Sequence, residues 1–275
     1  MKTVFVSSLC YDTDERVVVA RLDFDGTWYH YSYTRGVLRA MYLLPFDCKA
    51  KVQHVQYWPE LPPRIAVRRM RKSRSEYPRF LAWMGLDAPD AMAELGISGG
   101  IKATDSFQTM PLPERTPEGQ YVTDFFTRGL WQAGLPSVDA ARRLATGDRL
   151  WLIKDPLSPW CSYKLFADPD GRGPYVGYLP RLFATDIARL LDRCGSAVEV
   201  RVRQVNQDAP TVMMVLCRLT SPWPDGFLPF DGQDDFVSLA SPDPAECTDE
   251  GCIECAFHRQ QAAYKRGHEE TAISA

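Results

Sequence analysis

Toward its end the chain reads Cys247-x4-Cys252-x2-Cys255-x2-His258, three thiols and an imidazole in close succession. Thiolate and imidazole suit tetrahedral zinc, and a Cys-x2-Cys pair is a usual half-site. Redox-labile thiols and ordinary surface cysteines fit the same residues. His268 is an alternative to His258, and an iron–sulfur cluster would lack a certain fourth cysteine. A second set of residues is aromatic and basic. Trp160 lies in a proline-bounded loop, and Tyr178 lies in Val176-Gly177-Tyr178-Leu179-Pro180-Arg181. Such rings stack on bases of any sequence, worth roughly 1–3 kcal/mol per base. They also pack cores and turns. Lys164, Arg181, Arg201 and Arg203 would line a phosphate path or form a solvated face. Arg201 and Arg203, two apart on a strand, share one side.

Residues 64–79 hold the densest positive charge: Arg64, Arg68, Arg69, Arg71, Lys72, Arg74 and Arg79 against Glu76 alone. This run would extend a nucleic-acid footprint, meet an acidic partner, or simply coat a surface helix. Material for catalysis is sparse. There is no P-loop, no Gly-x-Ser-x-Gly and no His-Glu-x-x-His, and only four histidines occur. Asp168 and Asp170 beside Gly171 are explained by turn chemistry. A non-catalytic protein is expected.

These residues must be positioned by elements that the periodicity outlines. Arg16–Phe24 is rich in β-branched residues, Asp25-Gly26 offers a hairpin turn, and Thr27–Thr34 alternates aromatics on the return. Residues 64–85 read as helix interrupted around Ser73–Pro78, and Ala88–Leu95 as a short helix closed by Gly99-Gly100. Prolines at 111, 113 and 117 place a linker at 111–120. Beyond it come a strand over Tyr121–Leu130, a short helix capped by Ser137 and ended at Gly147, and strands over Asp148–Lys154, Ser162–Ala167 and Pro174–Tyr178. A helix then starts at Pro180, with Phe183, Ile187, Leu190, Leu191 and Cys194 on one stripe and Gly195 as its stop. Strands over Ala197–Asn206 and Thr211–Thr220 follow. Gly177, between larger residues, implies close backbone approach.

The chain has 275 residues and a net charge of −3. Residues 221–275 hold eleven acids and three bases, a net −8, which leaves about +5 in residues 1–220 and hints at a polyanionic partner. Eight cysteines, five of them scattered, without a signal-peptide pattern fit a reducing cytoplasm. No apolar run is long enough for a membrane span.

The order of elements from Tyr121 to Thr220 resembles a HIRAN domain. The motifs that carry the resemblance are Asp155-Pro156 leading to Ser158-Pro159-Trp160-Cys161, the Val176–Arg181 stretch, and Gly129-Leu130-Trp131. Ser158 and Cys161 stand where the family has Asn and Asp. The resemblance implies a small β-barrel, related in shape to OB folds, that recognises single-stranded DNA, particularly its 3′ end. It implies that Trp131, Trp160 and Tyr178 stack on terminal bases and that Arg128, Lys164 and Arg181 approach phosphate. Val19–Gly26 with Tyr29–Tyr33 resembles the small N-terminal subdomain of HipA-type kinases, without a kinase core. The expected fold is therefore α+β. Residues 1–110 form a HipA N-terminal-like part with a small β-sheet plus helices. Residues 121–220 form a HIRAN-like β-barrel with flanking helices, and 221–275 an acidic, cysteine-containing tail. The expected function is that of a bacterial single-stranded-DNA-binding accessory protein, with a kinase, helicase or nuclease encoded nearby as a further partner. A protein–protein regulator of a HipA-type kinase or toxin–antitoxin partner is the alternative. An enzyme acting on nucleic-acid ends comes third.

Overall fold

Val17, Val18, Val19 and Ala20 are all buried, so the strand that carries them is covered on both faces. It is the middle of the first sheet in a computed structural model that describes residues 1–10, 13–40, 54–158 and 162–240. Strands β1 (Lys2–Cys10), β2 (Glu15–Phe24), β3 (Tyr29–Tyr33), β4 (Gln56–Trp58) and β5 (Gln108–Pro111) form an antiparallel sheet in the order β4-β3-β2-β1-β5. The β2–β3 hairpin turns at Asp25-Gly26 as expected. Asp25 Oδ1 accepts the Thr27 and Trp28 N–H groups, and Gly26 takes φ +105°.

Three short helices follow β4: α1 (Pro63–Ala66), α2 (Tyr77–Trp83) and α3 (Ala91–Ser98). The single interrupted helix expected over 64–85 is thus two separate pieces. Pro78 sits in the first turn of α2, where proline is tolerated, and favours a new start there. Asp90 caps α3 by accepting the Met92 and Ala93 N–H groups, each at 3.1 Å, and Gly99 closes it at φ +75°.

The second sheet contains β6 (Gln120–Phe126), β7 (Arg149–Lys154), β8 (Tyr163–Phe166), β9 (Glu199–Val205) and β10 (Val215–Pro222), ordered β6-β10-β9-β7-β8 and antiparallel throughout. The chain is a mixed α+β protein, and the change of sheet falls between Pro111 and Gln120. Helix α4 (Leu135–Arg142) begins earlier than expected, because Pro136 occupies its first turn; Ser137 is buried inside it rather than capping it. Helix α5 (Ala184–Cys194) buries Ile187 and Leu190 on its predicted stripe and ends at Gly195, φ +52°. The last strand starts later than expected, at Val215, because Thr211–Met213 is a 3-10 turn.

The two halves share a core. Phe5 of β1 meets Phe230 edge-on at 5.6 Å and Phe236 at 4.9 Å, and those two rings stack at 4.2 Å. Each such pair contributes about 0.5–1.5 kcal/mol beyond its buried area. Residues 221–240 are therefore built into the body, with Phe227, Phe230 and Phe236 buried. Arg35 N–H donates to Val237 O and Leu239 N–H to Tyr33 O, tying this segment to the end of β3. Among the described residues no helix is long and apolar enough to cross a membrane.

Candidate functional site

Gly177 is where the backbones come closest. At φ +121° it lies so near the segment just after β6 that a Cβ there would stand 2.7 Å from Thr127 Cβ and 3.0 Å from Arg128 O. Only glycine fits both the dihedral and the space. The contact lets Tyr178 pair with Arg128 through two backbone hydrogen bonds, Arg128 N–H to Tyr178 O at 2.9 Å and the reverse at 2.7 Å. On its other side the same segment bonds β8: Val176 N–H donates to Leu165 O, Leu165 N–H to Gly177 O, and Leu179 N–H to Tyr163 O.

This crossing builds one wall of a cleft of about 770 Å³. Arg128, Trp131, Tyr178 and Arg181 line it, and so does Arg16 of β2, so both halves of the chain contribute. Trp131 is 67% exposed, a large ring left to solvent at the cleft. Tyr178 is half-buried. Its hydroxyl donates to Asp155 Oδ2 at 3.0 Å, and its ring meets Tyr175 edge-on at 5.2 Å. Burial, the Tyr175 hydroxyl and the Asp155 carboxylate together push the Tyr178 phenol well above its ordinary range. Lys164 stands 3.1 Å from Asp155 and over the Tyr175 and Tyr178 rings. Burial alone would raise the Asp155 carboxyl. The Lys164 ammonium, the Leu157 N–H and the Tyr178 hydroxyl outweigh that and hold it low.

The arginines of the cleft are differently placed. Among the described residues the Arg128 guanidinium donates one hydrogen bond, from Nη2 to Ser98 O at 3.2 Å. Its Nε and Nη1 are buried and have no hydrogen-bond partner among the described residues. Leaving one buried donor unpaired costs roughly 1–3 kcal/mol, and more when it is charged. Burial, with Arg16 nearby, lowers the Arg128 guanidinium to about 10. Burial, with Arg181 nearby, lowers Arg16 to about 10 as well. Burial also lowers Arg181, against which Asp14 and Glu15 act. The Thr127 hydroxyl, buried at the same wall, likewise has no partner among the described residues.

The residues expected from sequence divide accordingly. Arg128, Trp131, Tyr178 and Arg181 come together at the cleft, and Lys164 lies behind them on Asp155. Arg201 and Arg203 do not line it. Arg201 pairs with Glu199 at 3.0 Å, and Arg203 shares Asp124 with Arg218 at 2.6 and 2.8 Å. Trp160, Cys247, Cys252, Cys255 and His258 lie outside the described residues. Among the described residues no group of three or more His, Cys, Asp or Glu could hold a metal ion. Arg16 and Thr127 went unnoticed in the sequence. Arg16 reads there as the start of a β-branched strand, and no local spacing ties it to position 128 or 181.

No protein-family model, no curated protein and no solved structure matches the chain.

Proposed function

We propose that the protein is a non-catalytic nucleic-acid-binding protein whose cleft takes single-stranded DNA, and that its second half is a HIRAN-like β-barrel. The barrel reading is supported by the 176–179 segment, which hydrogen-bonds β8 on one side and the extension of β6 on the other. Those are the two edges of the second sheet. The binding reading is carried by one observation: an exposed tryptophan stands in the same cleft as two part-buried arginines, Arg16 and Arg128, that pair with no carboxylate among the described residues. An aromatic platform with an electropositive groove is how single strands are held without sequence preference.

Fluorescence anisotropy with labelled oligonucleotides tests this. Binding at low salt should weaken steeply as salt rises. Strands with free and blocked 3′ ends should differ if the end is read. Trp131→Ala and Trp160→Ala should each weaken binding by roughly tenfold, the lower part of the stacking range. A protein that binds no strand at low salt would sink the proposal. A native partner that survives nuclease treatment and ignores both substitutions would point instead to a regulator of another protein. Zinc on Cys247, Cys252, Cys255 and His258 stays a separate proposal, checked by metal analysis of the purified chain with and without Cys252→Ser and Cys255→Ser.

A further inference from the structure

Arg16 belongs to the first half, yet it faces the same cleft as Arg128 and Arg181 of the second. Its guanidinium donates to Ser106 O at 2.8 Å and lies 3.4 Å from Ser7 Oγ. These neutral partners aim the group without balancing its charge. Among the described residues the one carboxylate lining the cleft, Asp155, is already held by Lys164 and Tyr178. Guanidinium groups match phosphate oxygens in a planar fork, and a phosphate offers more acceptor oxygens than a carboxylate to donors converging from several sides. The Thr127 hydroxyl, which has no partner among the described residues, adds a donor at the same wall. An exposed tryptophan alongside suits a base attached to that phosphate.

We propose that Arg16, Arg128 and Arg181 form a phosphate subsite at the seam between the two halves, so that the first half supplies part of the ligand site. As to what carries the phosphate, the inference rests on the single-strand reading above. The phosphate is a backbone diester or a terminal monoester, and the two sources separate by experiment.

The full chain is titrated with internally labelled oligothymidylate bearing a 5′ phosphate, a 3′ phosphate or hydroxyls at both ends. Wild type is compared with Arg16→Gln, Arg16→Lys and Arg181→Gln. Loss of one phosphate contact should weaken binding about tenfold and reduce the log–log salt slope by about one. Arg16→Gln and Arg181→Gln should both do so, and Arg16→Lys should keep most of the slope. Tighter binding of one phosphorylated strand assigns the subsite to that terminus, and equal binding of all three assigns it to the backbone. An Arg16→Gln protein with wild-type affinity and slope overturns the subsite while leaving strand binding intact. If wild type binds no strand, the strand reading fails by itself, and melting in inorganic phosphate decides the subsite. Stabilisation in wild type that is lost in Arg16→Gln and kept in Arg16→Lys upholds it, and no stabilisation of wild type overturns it.

Discussion

Two groups of arginines in this molecule have opposite histories. Seven basic residues crowd residues 64–79, but folding disperses or neutralises much of their charge. Arg68 closes on Asp105 at 2.6 Å, Arg79 on Asp208 at 2.6 Å, and Arg69 on the buried Glu94, whose carboxylate also accepts the Tyr77 hydroxyl at 2.7 Å. The cleft, by contrast, draws single arginines from positions 16, 128 and 181, and two of them, Arg16 and Arg128, have no carboxylate among the described residues. Charge density along a chain and charge density in space are different quantities. The second is what a polyanion meets.

The contrast can be broken or sharpened by substitution. The largest effect is expected at Glu94. Glu94→Ala strands a largely buried Arg69 and should cost about 3–5 kcal/mol in urea unfolding, as removal of one partner from a buried pair does. A loss under about 1 kcal/mol would show that this network is not holding α3 to the preceding segment. Next comes Asp186, a buried acid that accepts the Phe230 N–H at 2.9 Å and lies 3.4 Å from Arg189. Burial, partly offset by the Phe230 N–H and Arg189, raises its carboxyl to about 6. A carboxyl raised in the fold is worth most below its unfolded value and loses that worth as pH climbs through about 6. Wild type should therefore lose on the order of 2–3 kcal/mol between pH 4 and 7 relative to Asp186→Asn. Parallel pH–stability curves for the two proteins would refute it.

Arg128→Met is the counterpart of Glu94→Ala and should behave in the opposite way. Removing a buried charge with unpaired donors should leave the melting temperature unchanged or raised. Single-strand affinity should meanwhile fall about tenfold with a shallower salt slope. A destabilised Arg128→Met that still binds would reverse the comparison. The smallest effect belongs to Arg201→Gln. That side chain is half-exposed and paired with Glu199, so affinity should change by less than about twofold.

Much of the local structure is legible in the sequence. The Asp25-Gly26 hairpin, the apolar stripe of α5, its stop at Gly195 and the close approach at Gly177 all follow from periodicity and from what glycine permits. Trp131, Tyr178, Arg128 and Arg181 were legible as candidates, but not as neighbours of Arg16. The neutralisation of Arg68, Arg69 and Arg79 was hidden for the same reason. Their partners sit 25 or more positions away, at Asp105, Glu94 and Asp208, and sequence spacing carries no information on such pairs. The burial of Phe227, Phe230 and Phe236 was likewise masked by an acidic, turn-rich context without regular period.

The return of residues 227–239 to β1 and β3 also bears on the order of synthesis. Phe5 leaves the ribosome more than 200 residues ahead of its ring partners Phe230 and Phe236. At roughly 5–20 residues per second, Tyr33 waits about 10–40 s for Leu239 to emerge. Through that interval the nascent first sheet presents an uncovered phenylalanine and an unfinished edge, the features that chaperones bind. A chain cut after Pro222 would hold that state permanently, so the residues beyond the last strand cannot be removed cleanly.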